Sequence, residues 1–148
     1  MQNETYQFHA RGRLNSDEYS VRESLQELRT QLGDAGVPGS DLDVVELVLA
    51  EVMNNVVEHA HRGMKSGHLS YLVEPKVGAL KFTVEDDGVP MPGEQLPCGV
   101  MADLPEEAED MPEGGFGWFL VHTLARDLTY VRDGAINRLT FQVPTAVL

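Results

Sequence analysis

The chain has 148 residues, a length suited to one domain spanning 1–148 that buries about 70% of its unfolded surface and needs no staple to fold. Its 24 Asp and Glu against 11 Lys and Arg leave a net charge of -13, which argues against direct nucleic-acid binding through phosphate contacts and against docking on an anionic membrane. Cys98 is the only cysteine, no apolar run approaches the roughly 20 residues of a membrane span, and the polar start carries no secretory signal, so the expected location is a reducing cytoplasm.

In chain order, TYQFHARGRL alternates as a first strand near residues 4–13. A helix follows, with Asn15 or Ser16 as its cap and Val21, Leu25, Leu28 and Leu32 as its apolar stripe. After a Gly/Pro connector, Ser40 or Asp41 can cap a second helix over about 41–62. HLSYLVEP and ALKFTVED read as an antiparallel hairpin. Residues 88–114 hold five of the eight prolines and show no periodicity, the composition of a lid or mobile segment. FGWFLVHTLARD is a short apolar helix, and a final hairpin turns at Asp133-Gly134. Hairpin strands with grouped helices predict an α+β two-layer sandwich, with a mixed, mostly antiparallel sheet covered by helices on one face.

Three stretches carry chemistry. In the second helix, Val45, Leu49, Val52, Val56 and Ala60 share one side, while Glu51, Asn55 and His59 follow one another at steps of four. An amphipathic helix whose polar side happens to hold these types is the alternative, and His59 alone reads as a structural hydrogen-bond partner. His59 and His61, two apart on a helix, point in different directions and do not suggest a metal pair. The second stretch is FTVEDDGVP, residues 82–90. A strand there delivers acids at its end, where an aspartate can accept from an exocyclic amine and Gly88 lets a flat ring approach the backbone; an acidic hairpin turn is the plain alternative. The third is EGGFGWFLV, residues 113–121, where Gly114, Gly115 and Gly117 lead into a helix. Glycines there clear the helix N-terminus for phosphate, or act as a hinge.

In this order, with a long lid between the second and third, the three stretches resemble the GHKL (Bergerat) ATPase and kinase superfamily. More narrowly, the chain resembles the bacterial anti-sigma-factor serine/threonine kinases. The family's helix motif falls on Glu51, Asn55 and His59, its adenine motif on Asp86 and Gly88 with Pro90 at the second glycine, and its last glycine motif on Gly115 and Gly117. The resemblance implies ATP and Mg²⁺ as cofactors. Asn55 would coordinate the Mg²⁺, Glu51 would act as general base, Asp86 would recognise the adenine amine, and Gly115 and Gly117 would donate backbone N–H groups to phosphate. His59 would support the site rather than do chemistry. The implied partners are a STAS-domain antagonist phosphorylated on serine and a sigma factor.

One feature stands apart. No Lys or Arg occurs from Phe82 to Ala125, and Asp103 to Glu113 carries six acids. Positive charge at the transferring phosphate would then come from Mg²⁺, from Arg62 or Lys65, or from a partner. A nucleotide-gated partner-switching module with little phosphotransfer is therefore the rival reading, and an adaptor that has lost ATP the third. The first helix, with Arg22 and Arg29, is a candidate homodimer or partner surface, and solvated charges explain those arginines equally well.

Overall fold

The computed structural model describes residues 9–62, 66–97 and 115–146. Its elements are β1 (Ala10–Asn15), α1 (Glu18–Asp34), α2 (Gly39–Asn55), a π-helical turn (Val56–Ala60), β2 (His68–Lys76), β3 (Ala79–Asp86), a 3₁₀ turn (Pro92–Glu94), α3 (Gly115–Leu124), β4 (Arg126–Asp133) and β5 (Ile136–Pro144). The start of the expected first strand and residues 98–114 of the expected lid, Cys98 and Gly114 among them, lie outside the described residues.

The five strands form one sheet in the order β1-β2-β3-β5-β4, and every neighbouring pair is antiparallel. Two hairpins, β2-β3 and β4-β5, meet at the β3-β5 seam, which places β3 at the centre of the sheet. Strand alternation turns Leu80, Phe82 and Val84 of β3 and Leu139, Phe141 and Val143 of β5 to the helical side, where all are buried. Phe82 and Phe141 stand opposite one another in register, their ring centroids 5.2 Å apart. The helix layer meets them with Leu28 and Leu32 of α1 and Val45, Val48, Leu49, Val52 and Met53 of α2. Truncating such a fully buried aromatic ring costs about 3–5 kcal/mol, so the seam is the mechanical centre of the fold.

The helix ends differ in detail from the expected caps, for reasons of competition. Asp17, not Asn15 or Ser16, caps α1: its Oδ1 accepts from the Ser20 N–H at 2.7 Å. Ser16 is engaged elsewhere, at 2.6 Å from Nδ1 of His61. No side chain caps α2, which begins at Gly39 behind Pro38; the Asp41 carboxylate instead accepts from the Ala146 N–H at 2.9 Å. Arg29 bridges the first two helices, 2.8 Å from Asp43 and 2.7 Å from Glu46, so this arginine is occupied within the chain.

The regular α-helix expected to reach residue 62 ends at Asn55 and widens into a π turn, closed by the His61 N–H on the Val56 carbonyl at 3.1 Å. Such turns occur mostly as single insertions within α-helices, frequently at functional sites. Here it lies directly after Asn55 and changes how the three motif residues are distributed.

Candidate functional site

Between the end of α2, the exit of β3 and the start of α3 lies a cleft with two compartments. The larger, about 420 Å³, is lined by apolar side chains, including Val56, Met91 and Trp118, with Asn55, His59, Asp86, Tyr130 and Asn137 among the polar ones. The smaller, about 210 Å³, is lined by Glu51, Asn54, Asn55, Glu58, Gly117, Trp118 and Val121. Asn55 and Trp118 belong to both. The row of three expected on one helix side is thus divided: Glu51 faces the small compartment, His59 the large one, and Asn55 stands at their junction. The π turn lies between Asn55 and His59, and of the three only Glu51 and His59 share no compartment.

Asp86 ends β3 with its side chain on the helical side of the sheet, 8% exposed. Its Oδ1 accepts from the Gly88 N–H at 2.9 Å and from Nδ2 of Asn137 at 2.8 Å. Both bonds fall on one oxygen, which leaves Oδ2 as the available acceptor among the described residues. Burial pushes the Asp86 carboxyl above its ordinary range, and the bonds from Asn137 and Gly88 oppose that rise. A buried carboxylate with one free oxygen beside an apolar pocket is suited to a neutral donor such as an aromatic amine.

Asn137 was not among the sequence candidates, and it organises this end of the cleft. Besides Asp86, its amide donates to the Val89 carbonyl at 2.9 Å and the Gly88 carbonyl at 3.3 Å. Its Oδ1 accepts from the Tyr130 hydroxyl at 2.7 Å and from Arg132 at 3.0 Å. Arg132 also donates to the Gly88 carbonyl at 2.7 Å, and the Met91 N–H donates to Tyr130 at 2.9 Å. A sequence signal existed: in INRLTFQVP, Asn137 shares the inward register of Leu139, Phe141 and Val143, a polar residue at a core position.

Gly88 plays a different part from the one expected. It does not line the cleft; a Cβ there would run into the carbonyl of Ala60, and the Val89 N–H donates to that same carbonyl at 2.8 Å. The close approach it permits is protein on protein, docking the π turn against the Asp86 turn. At Gly117, in contrast, a Cβ would meet the Glu51 carboxylate, so this glycine makes room for Glu51 at the first turn of α3. Gly115 opens α3 and leaves the first N–H groups of that helix without intrahelical partners.

The small compartment is bare by comparison. Glu51, Asn54 and Asn55 make no side-chain hydrogen bond among the described residues, and the Glu58 carboxylate stands 3.8 Å from Nε2 of His59. Among the described residues no Lys or Arg lines it; Lys65 lies outside them. Arg132 is committed to the Asp86 end, and Arg62 is exposed beyond the π turn. Among the described residues, no group of three or more His, Cys, Asp or Glu is arranged to hold a metal by itself. No helix among them is long and apolar enough to cross a membrane.

Residues 14–143 match the family of the histidine kinase-like ATPase domain. Over 105 residues the chain is 26% identical to the serine-protein kinase RsbW of Bacillus cereus, covering 70% of this chain and 65% of that protein. The RsbW serine-protein kinase of Bacillus thuringiensis is similar to the same degree, 26% over 105 residues, so the chain spans 65% of the length of these relatives. A crystal structure of the RsbU and RsbW domains of a Mycobacterium tuberculosis protein shares the fold, with a TM-score of 0.65 over 93% of this chain and 32% of that one, at 16% identity.

Proposed function

Because the chain belongs to the histidine kinase-like ATPase domain family, we propose that its cleft binds Mg²⁺·ATP and that it acts as an ATP-dependent serine/threonine protein kinase of the anti-sigma-factor type. The observation that carries this reading is the pairing of the two compartments: an apolar pocket ending on a buried, oriented Asp86, continuous with unengaged Glu51 and Asn55. The large compartment takes the base, with Oδ2 of Asp86 accepting from the adenine amine while Met91 and Trp118 give apolar walls. The small compartment takes the phosphates.

The donor set there fits Mg²⁺. The amide oxygens of Asn54 and Asn55 and the carboxylates of Glu51 and Glu58 are hard ligands, and Mg²⁺ commonly uses one or two protein oxygens with phosphates and water completing its shell. When bound, it would neutralise charge at the phosphates, and Asn55 is the residue assigned to hold it. Gly115 and Gly117 add no side chain of their own at the start of α3, where backbone N–H groups would donate to phosphate oxygens. Glu51, free of protein donors among the described residues, accepts the proton of the attacking serine hydroxyl. His59 borders the base compartment and supports it.

The substrate by this reading is a serine on a small STAS-type antagonist, in the cytoplasm, with a sigma factor as a second partner. The relatives' name, serine-protein kinase, supports serine as the accepting residue. Incubating the protein with labelled Mg²⁺·ATP and a cognate STAS protein should transfer label to serine, and Glu51→Ala should slow transfer by about a hundredfold or more, the usual contribution of a general base. No transfer from the wild type, or transfer indifferent to Glu51→Ala, overturns it.

The absence of Lys and Arg from Phe82 to Ala125 and, among the described residues, from the lining of the small compartment favours a second reading, a nucleotide-gated binding module that switches partners with little phosphotransfer. It requires partner affinity to change on adding Mg²⁺·ATP and that change to vanish in Asn55→Ala.

A further inference from the structure

His61 is 6% exposed yet lines neither compartment of the cleft. Its ring is held at both nitrogens, Nδ1 at 2.6 Å from the Ser16 hydroxyl and Nε2 at 2.6 Å from Oδ1 of Asp87. Four segments converge on it. Ser16 joins β1 to α1, and its N–H donates to the Gly67 carbonyl at 2.9 Å. Gly67 precedes β2, and any Cβ there would strike the imidazole. Asp87 leaves β3 and also accepts from the His68 N–H at 3.0 Å. His61 itself follows the π turn.

The chemistry fixes one proton position. The His68 N–H, ahead of the His61 ring, holds the Asp87 carboxyl below its ordinary range, and a carboxylate only accepts. Nε2 of His61 therefore donates to Asp87, while Nδ1 and the Ser16 hydroxyl hold the other edge of the ring. A serine, a histidine and an aspartate in a chain suggest a nucleophile, but Ser16 lines neither compartment of the cleft. What the chain does reach is Asp86, the peptide neighbour of Asp87.

The turn from Asp86 to Val89 is gripped from two sides. Asn137 and Arg132 hold it from the sheet, and the π turn holds it through Ala60 and His61. We propose that His61 is a positioning residue for base recognition: through Asp87 it fixes the turn that carries Asp86, and so sets the choice of base without contributing to phosphate binding. This rests on the nucleotide reading of the cleft.

The test is calorimetric, with Mg²⁺ present, on wild type, His61→Ala, His61→Gln and Asp87→Ala. The probes are ATP, inosine triphosphate (which lacks the exocyclic amine) and inorganic tripolyphosphate. Wild type should prefer ATP to inosine triphosphate. His61→Ala should lose about tenfold in ATP affinity, the scale of coupling between residues in contact, with tripolyphosphate affinity unchanged. Asp87→Ala, which opens no hole in the core, should reproduce the loss, and the double variant should add little. His61→Gln, whose amide can still donate to Asp87, should recover most of the preference. An unchanged ratio of ATP to inosine triphosphate in Asp87→Ala overturns the inference, as does an equal loss for tripolyphosphate. If the wild type shows no preference between the two nucleotides, the reading of Asp86 fails first and this inference with it.

Discussion

At the Asp86 end of the cleft, Asn137, Tyr130, Arg132 and the Gly88 and Val89 carbonyls are bonded to one another before any ligand arrives. At the Glu51 end, among the described residues, Glu51, Asn54 and Asn55 make no side-chain hydrogen bond and no Lys or Arg shares their compartment. The first arrangement is preorganised: its dipoles are fixed by the sheet and need not move on binding. The second is a set of hard oxygen donors whose shape and charge balance come from what binds there. On the nucleotide reading proposed above, base recognition would belong to the folded chain alone, while phosphate handling would belong to the chain together with an ion and a partner.

The strongest way to break this contrast is Asp86→Asn. The new amide oxygen can still accept from Asn137 and Gly88, but its NH₂ would meet the adenine amine donor to donor. ATP affinity should fall by about ten- to hundredfold, the worth of a hydrogen bond to a charged group, read by calorimetry or from Trp118, the sole tryptophan, which lines both compartments. Thermal stability should not fall with it. Asp86 is held above its ordinary range by burial, so its contribution to stability is present below the unfolded value of about 3.9 and is lost as pH rises through the raised value. The uncharged amide escapes that loss, and the variant should gain on wild type between acid and neutral pH.

Asn55→Ala probes the other end. It should weaken ATP by about tenfold with Mg²⁺ present and hardly at all with Mg²⁺ chelated, because the loss is of an ion ligand. Equal losses in both conditions would mean that Asn55 touches the nucleotide without the ion.

Asn137→Ala sharpens the comparison from within the preorganised end. It leaves the Tyr130 hydroxyl proton and the Val89 carbonyl without their partner, while Arg132 and the Gly88 carbonyl keep each other, and should destabilise the fold by about 1–3 kcal/mol in urea unfolding. Glu51→Gln, at the end without protein bonds, should leave the unfolding midpoint unchanged.

The smallest expected effect is the acid response of Asp87. Its carboxyl is lowered, chiefly by the His68 N–H, so its contribution is present above the unfolded value of about 3.9 and is lost as pH falls through the lowered value. Wild type and Asp87→Ala should therefore differ in melting temperature at neutral pH and converge in acid, the opposite trend to Asp86.

The parts of this arrangement that depend on local pattern were legible in the residues. Helix and strand periodicity delivered the element order, and the resemblance drawn from three motifs led to the family that residues 14–143 match. Glu51, Asn55, Asp86 and Gly117 do come together around one cleft. What escaped is nonlocal. Asn137 reaches Asp86 from 51 positions along the chain, and Ser16 was drawn away from helix capping by His61, 45 positions along. The π turn escaped because a period of 3.6 fitted to Glu51–His59 cannot register one residue inserted after Asn55. Gly88 was singled out for the approach of a flat ring, and the neighbour that packs against it in the fold is Ala60.

The most direct measurement is a calorimetric titration of the wild-type protein with ATP and with inosine triphosphate, each with and without Mg²⁺. The preorganised base end predicts a preference for ATP in both conditions, and the bare phosphate end predicts that both nucleotides tighten together when Mg²⁺ is added. Binding without base preference, or affinity indifferent to Mg²⁺, would contradict the division of labour between the two ends.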